Sequence, residues 1–112
     1  MSASAQAHSA SIFRIDSFAV PAESRQAFLA QVDQTKAFLA AQAGCVQNLV
    51  LERHSGADRY NVVTVVEWES EAAFAEAKAA MMESRQKSGF NPETFLRSLG
   101  VDAHMSNYVA AS

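Results

Sequence analysis

A chain of 112 residues, 49% hydrophobic and 19% charged, has the makeup of one ordinary folded domain, in which roughly two-thirds of the unfolded surface can be buried. A net charge of −3 with scattered lysines and arginines leaves no electrostatic footprint for nucleic acid, and no apolar run is long enough to span a bilayer. One cysteine, Cys45, rules out an internal disulfide and a four-cysteine cage, and the three histidines show no metal-ligand spacing, so no metal is expected.

Residues 1–11, MSASAQAHSAS, have neither the charged nor the apolar region of a signal peptide. They read as a flexible lead-in to a cytoplasmic protein, with His8 given no role and a single domain over 12–112. Ile12 to Val20 is rich in β-branched and aromatic residues and reads as the first strand. Pro21 opens a helix, and Phe28, Leu29, Val32, Thr35 and Leu39 repeat at helical spacing along an inward stripe. That helix is expected to reach about Ala43, with Gly44 as a left-handed cap. Cys45 to His54 and Tyr60 to Trp68 read as a hairpin joined by Ser55–Arg59. Cys45 is taken as a small buried hydrophobe. Ser70 is placed to cap a second helix that runs to Ser88 and stops at Gly89. Asn91-Pro92 starts a short helix to Leu99, and Val101 to Ala110 reads as the last strand. This order predicts an α+β, ferredoxin-like βαββαβ fold: a four-stranded antiparallel sheet with its helices on one face.

Both hairpin strands carry apolar residues at odd and even positions, so both sheet faces need cover. The odd set (Phe13, Ile15, Cys45, Leu49, Leu51, Val63, Val65, Met105, Val109) is nearly pure hydrocarbon and is assigned to the helix side. The even set mixes aromatics with polar groups: Phe18, Asn48, His54, Tyr60, Thr64, Trp68, His104, Ser106 and Tyr108, with Arg14, Asp16 and Glu52. Left bare it would be an unusually large apolar patch; covered, it would line a cavity with a few convergent polar groups. A hairpin register is expected to pair His54 with Tyr60, Glu52 with Val62, Val50 with Thr64, Asn48 with Val66 and Val46 with Trp68.

From this face come the candidate site residues. Trp68 is a candidate wall for an aromatic ligand, against the plainer reading of a core tryptophan at a strand-to-helix turn. Phe18 and Tyr60 offer further aromatic surface. His54 and His104 are the candidate proton acceptors, imidazole being a common general base, although both fall near strand ends that are often wet. Asn48, Thr64, Ser106 and Tyr108 are candidate hydrogen-bond partners for a bound oxygen atom, or for one another. Arg14 with Asp16 or Glu52 could anchor an acidic ligand, an ion pair being the plainer reading. Met81-Met82 reads as gap-filling packing.

The segments RIDSFAVPAESRQAFLAQV, AGC and RYNVVTVVEWESEAAF, with SRQKSGFNPETFLRSLG before the last strand, resemble the antibiotic biosynthesis monooxygenase (ABM-type) family over Ile12 to Tyr108. The resemblance implies a dimeric α+β barrel: a homodimer joined through the exposed sheet faces, with pockets between sheet and helices or across the interface. It implies oxygenases that need no cofactor and act on hydrophobic aromatic molecules of the phenol, quinol or anthrone type. It also includes haem-degrading enzymes and proteins of no known activity. Trp68 matches the tryptophan that recurs at the end of the third strand, and Phe74 the aromatic that follows it. Ala77 stands where many relatives carry a histidine, which speaks against haem degradation, and Thr64 where quinone-forming members place an asparagine. Three readings follow: a cofactor-independent monooxygenase, a non-catalytic dimeric binding or sensing protein, and a proton-transfer isomerase that needs no dioxygen.

Overall fold

The computed structural model describes residues 10–111. In chain order it contains β1 (Ile12–Ala19), α1 (Arg25–Ala40), β2 (Cys45–Glu52), β3 (Val62–Trp68), α2 (Glu71–Ser88), α3 (Pro92–Ser98) and β4 (Asp102–Tyr108). The strands form one antiparallel sheet in the order β2-β3-β1-β4, the ferredoxin-like plan, with the helices on one face. Of the lead-in expected over 1–11, all but Ala10 and Ser11 lie outside the described residues. Ser11 itself is buried, and its hydroxyl donates to Glu67 Oε2 at 2.8 Å.

The chain's punctuation accounts for most element ends. Pro21 is extended (ψ 146°) and closes β1, and a single 3-10 turn at Ala22–Ser24 comes before α1. Ser24 does not cap α1 with its side chain; its hydroxyl donates to the Leu99 carbonyl at 2.6 Å and ties the start of α1 to the end of α3. Ser70 Oγ accepts the Ala73 N–H, and Asn91 Oδ1 accepts the Thr94 N–H, so both following helices start with a satisfied donor. Gly44 has a left-handed φ of +86°, and a Cβ there would lie 2.5 Å from the Cβ of Ala73. Its carbonyl accepts the Glu69 N–H, so the α1–β2 corner sits directly against the beginning of α2.

The hairpin is shorter than expected. Its ladder ends at Glu52 opposite Val62, with one further bond from the Arg53 N–H to the Asn61 carbonyl. His54 and Tyr60 therefore do not pair. Asn61 turns instead to the end of β1, where its amide donates to the Val20 carbonyl and accepts the Val20 N–H, which mimics a strand partner. Three of the expected pairs form: Glu52–Val62, Val50–Thr64 and Asn48–Val66. A bulge between Cys45 and Gln47 then places Cys45, not Val46, opposite Trp68 and leaves Val46 half exposed.

The two sheet faces are the reverse of those expected. Phe18, Val62, Val66 and Trp68, all of the even set, are buried under the helices, whereas Leu49 and Leu51 of the odd set are 40% and 47% exposed. Both sets can form an apolar face, and parity alone does not say which one the crossover helices cover; the purer hydrocarbon face is the open one. Parity also switches across the sheet. Phe13 faces Tyr108, Ile15 faces Ser106 and Ser17 faces His104, so odd residues of β1 neighbour even residues of β4. His104, Ser106 and Tyr108 therefore belong to the open face with Phe13, Ile15, Val63 and Val65, and Met105 faces Asp16 on the helix side. Val109 lies beyond β4 and is exposed.

The core divides into two clusters. Phe18, Val20, Phe28, Val62 and Val101 form one; Val66, Trp68 and Ala77 form the other, with Leu39, Cys45 and Phe74 packed against it. A cavity bounded by members of both separates them.

Candidate functional site

The cavity has a volume of about 320 Å³, which lies at the small end of the range for small-molecule sites. Its floor is the even face of the sheet: Arg14, Asp16 and Phe18 from β1, Asn48 and Val50 from β2, Thr64 and Val66 from β3. Strand alternation brings these side chains to one side, and the antiparallel register sets Asp16 beside Thr64, and Arg14 beside Val66. The α1 wall supplies Phe28, Gln31, Val32, Thr35, Lys36 and Leu39, the inward stripe expected from their spacing plus its polar margin. The α2 wall supplies Phe74, Lys78, Met81, Met82 and Arg85, and Phe90, Pro92, Phe95 and Leu96 close the end. Phe18 meets Phe28 edge-on with ring centroids 4.9 Å apart, and Phe90 and Phe95 form a second tilted pair at 5.5 Å.

Within this apolar shell the charged groups converge on one spot. Arg14 Nε donates to Asp16 Oδ1 at 2.5 Å, and the other arm of its guanidinium reaches the Met105 sulfur at 3.1 Å. Burial pushes the Asp16 carboxyl above the ordinary carboxylate range, opposed by the hydrogen bond and charge of Arg14 and by the charge of Arg85. Burial pulls Arg85 the other way, helped by repulsion from Arg14 and resisted by Asp16. Two guanidiniums thus face one carboxylate. Glu52, the other acid expected near Arg14, instead forms a two-pronged ion pair with Arg25 at 2.6 and 2.8 Å on the surface.

Asn48, Thr64 and Phe18 line the cavity. The Asn48 amide donates to the Lys36 carbonyl at 3.1 Å, which couples the floor to α1 and leaves its oxygen for other partners. Trp68 is 2% exposed and lies in the second core cluster, not on the cavity wall: the packing role describes its position. The remaining candidates sit elsewhere. His54 is exposed in the hairpin loop, and His104 and Tyr108 are exposed on the opposite sheet face. Tyr60 lies at the hairpin end, where Arg59 covers its ring and His104 approaches to 6.5 Å between centroids. Neither histidine lines the cavity. Sequence reasoning missed Arg85. Its signal was available, because Phe74, Lys78, Met81 and Arg85 follow at intervals of four, three and four and so share one face of α2. Cys45 packs against the second core cluster, and burial pushes its thiol up, which disfavours the thiolate form. Among the described residues no cluster of three acidic, histidine or cysteine side chains is placed to hold a metal, and no helix is long and apolar enough to cross a membrane.

Residues 11–90 match the model of the family described as antibiotic biosynthesis monooxygenase. Solved structures with the same fold include a protein from Shewanella loihica PV-4 provisionally called a monooxygenase (24% identity, 92% of this chain and 96% of that one, TM-score 0.69). SnoaB, a cofactor-independent oxygenase from Streptomyces nogalater, is 21% identical over 91% of this chain and 94% of its own, with a TM-score of 0.65. MhuD, a heme-degrader from Mycobacterium tuberculosis, is 18% identical over 90% of this chain and 96% of its own, with a TM-score of 0.66. No curated protein matches the sequence significantly.

Proposed function

Since the chain belongs to the antibiotic biosynthesis monooxygenase family, we propose that it is a cofactor-independent oxygenase that acts, in the cavity between sheet and helices, on a hydrophobic aromatic molecule of the quinol or anthrone type. The observation that carries this reading is Asp16, a carboxylate on an apolar, aromatic-lined wall that burial makes more basic than an ordinary aspartate. A base whose pKa moves toward the working pH is the more effective proton acceptor. The likeness in fold to SnoaB supports a mechanism without a cofactor.

In this mechanism, written for an anthrone, Asp16 removes a proton from the activated methylene of the substrate, and the guanidinium of Arg14 stabilises the resulting anion. The anion passes electrons to dioxygen, the oxidant. A CH2 group and O2 become a carbonyl group and water, so one oxygen atom enters the product and the other leaves as water with both hydrogens. Asn48 and Thr64 supply hydrogen bonds to the substrate oxygens, and Phe18, Phe28 and Phe74 hold its rings. His54 and His104 take no part. A second copy of the chain covers the open sheet face, where Phe13, Ile15, Leu49, Leu51, Val63 and Val65 together form an apolar surface that solvated monomers seldom expose.

Oxygen uptake with a panel of anthrones and quinols tests the reading. We expect uptake with at least one of them, retained in His54→Ala and His104→Ala and lost in Asp16→Asn; a panel without uptake overturns it. One observation favours a second reading, binding without turnover: neither histidine reaches the cavity. A ligand that raises Tm and is recovered unchanged would select that reading, and a ligand rearranged without oxygen uptake would select an isomerase.

A further inference from the structure

The charge of the cavity opposes that of the chain. The protein carries 12 acidic and 9 basic residues. Yet the cavity is lined by four basic residues, Arg14, Lys36, Lys78 and Arg85, and by one acidic residue, Asp16. The two lysines are exposed, whereas the two arginines are half-buried. Asp16 is committed to Arg14 by a direct ion pair. Among the described residues no carboxylate lies within ion-pairing distance of Arg85. A partly buried guanidinium beside a like charge, with the neighbouring Asp16 carboxylate already engaged, is costly to maintain without a counter-charge. The surrounding rings and thioethers cannot supply one.

We infer that the ligand of this cavity is an aromatic acid: a flat hydrophobic body seated among the phenylalanines, with a carboxylate or similarly acidic group that completes the pairing of Arg85 and is drawn in past Lys36 and Lys78. This rests on the cavity being the ligand site, as proposed above, and adds the charge of the ligand. Planar guanidinium and planar carboxylate match in a two-pronged hydrogen bond, stronger than a bond between neutral partners, and the lysines at the mouth add a salt-sensitive attraction. It also assigns a division of labour. Arg14 holds Asp16 in place, whereas Arg85 recognises the ligand.

The test compares a naphthoate with its near-isosteric carboxamide, each titrated into the full-length protein at low and high salt by calorimetry. The carboxylate is expected to bind about tenfold tighter or more at low salt. Added salt should erode that advantage. Arg85→Gln should abolish it and leave carboxamide binding within about twofold, and Arg85→Lys should restore part of it. Far-ultraviolet circular dichroism checks that both variants fold, and the comparison of the two probes on the unaltered protein stands without them. Equal affinity for the two probes, or a preference that survives Arg85→Gln, overturns the inference and leaves the oxygenase reading intact. Binding of neither probe overturns both, since it removes the cavity as a ligand site.

Discussion

Asp16 serves two demands that pull against each other. Burial raises its pKa above the ordinary value of 3.8, with Arg14 and Arg85 opposing the shift, so the folded protein binds this proton more readily than the unfolded chain does. Its contribution to stability is therefore fully present below the ordinary value and is lost as pH rises through the raised value. The proposed chemistry needs the ionised form, so turnover should rise over the same interval. Asp16→Asn cannot ionise. Its Tm should gain on that of the unaltered protein as pH rises from acid to neutral, while its turnover falls by about 100-fold or more. Thermal melts and rates measured across that pH range check both signs; a Tm difference that does not change with pH would remove Asp16 as the titrating group. Arg14, Asp16 and Thr64 were visible in the sequence as polar breaks on a hydrophobic strand face. Arg85 was not singled out, because an arginine near a helix end is ordinarily a solvated residue.

At the scale of elements, the corner between α1 and β2 decides how closely α2 lies on the sheet. Gly44→Ala combines a left-handed backbone that disfavours a side chain with a 2.5 Å clash against Ala73, an atom on a helix that cannot swing aside. We expect a loss of about 2–4 kcal/mol, measured by urea unfolding; a cost below about 0.5 kcal/mol would mean that α2 can back away. Element identity and order followed from periodicity, caps and glycines, and the ends moved by a few residues. The hairpin moved most. Asn61 exchanges two hydrogen bonds with Val20 and is thereby drawn into β1's ladder, so β3 cannot extend back to Tyr60. Such a bond joins residues 41 positions apart, and local patterning carries no trace of it.

For the whole molecule, the open sheet face is the largest unmet demand. Val65 lies on the open face of β3, a strand with neighbours on both sides, opposite Leu49 and Ile15. If the proposed homodimer forms through this face, the unaltered protein should sediment as a dimer and Val65→Lys as a monomer, with the helix-side core untouched. Unaltered protein that sediments as a monomer at micromolar concentration would instead show that this face tolerates water. The same substitution separates the roles of the faces, because the cavity lies on the other side of the sheet.

Alternation, spacing and punctuation were enough to establish four strands, the helices between them, and one strand face that mixes polar groups into hydrocarbon. Those are short-range properties, set by φ/ψ preferences and by which side chains neighbour one another within an element. On which face the helices would cover they pointed the wrong way, to the odd set, because both faces are apolar enough to serve. Long-range events settled that question: the crossover packing of α1 and α2, the bulge that turned Cys45 inward, and the β1–β4 register that sent His104 and Tyr108 to the far side. The meeting of Arg85 with Arg14 and Asp16 is of the same kind, since it requires a strand and a helix some 70 residues apart to close on one cavity.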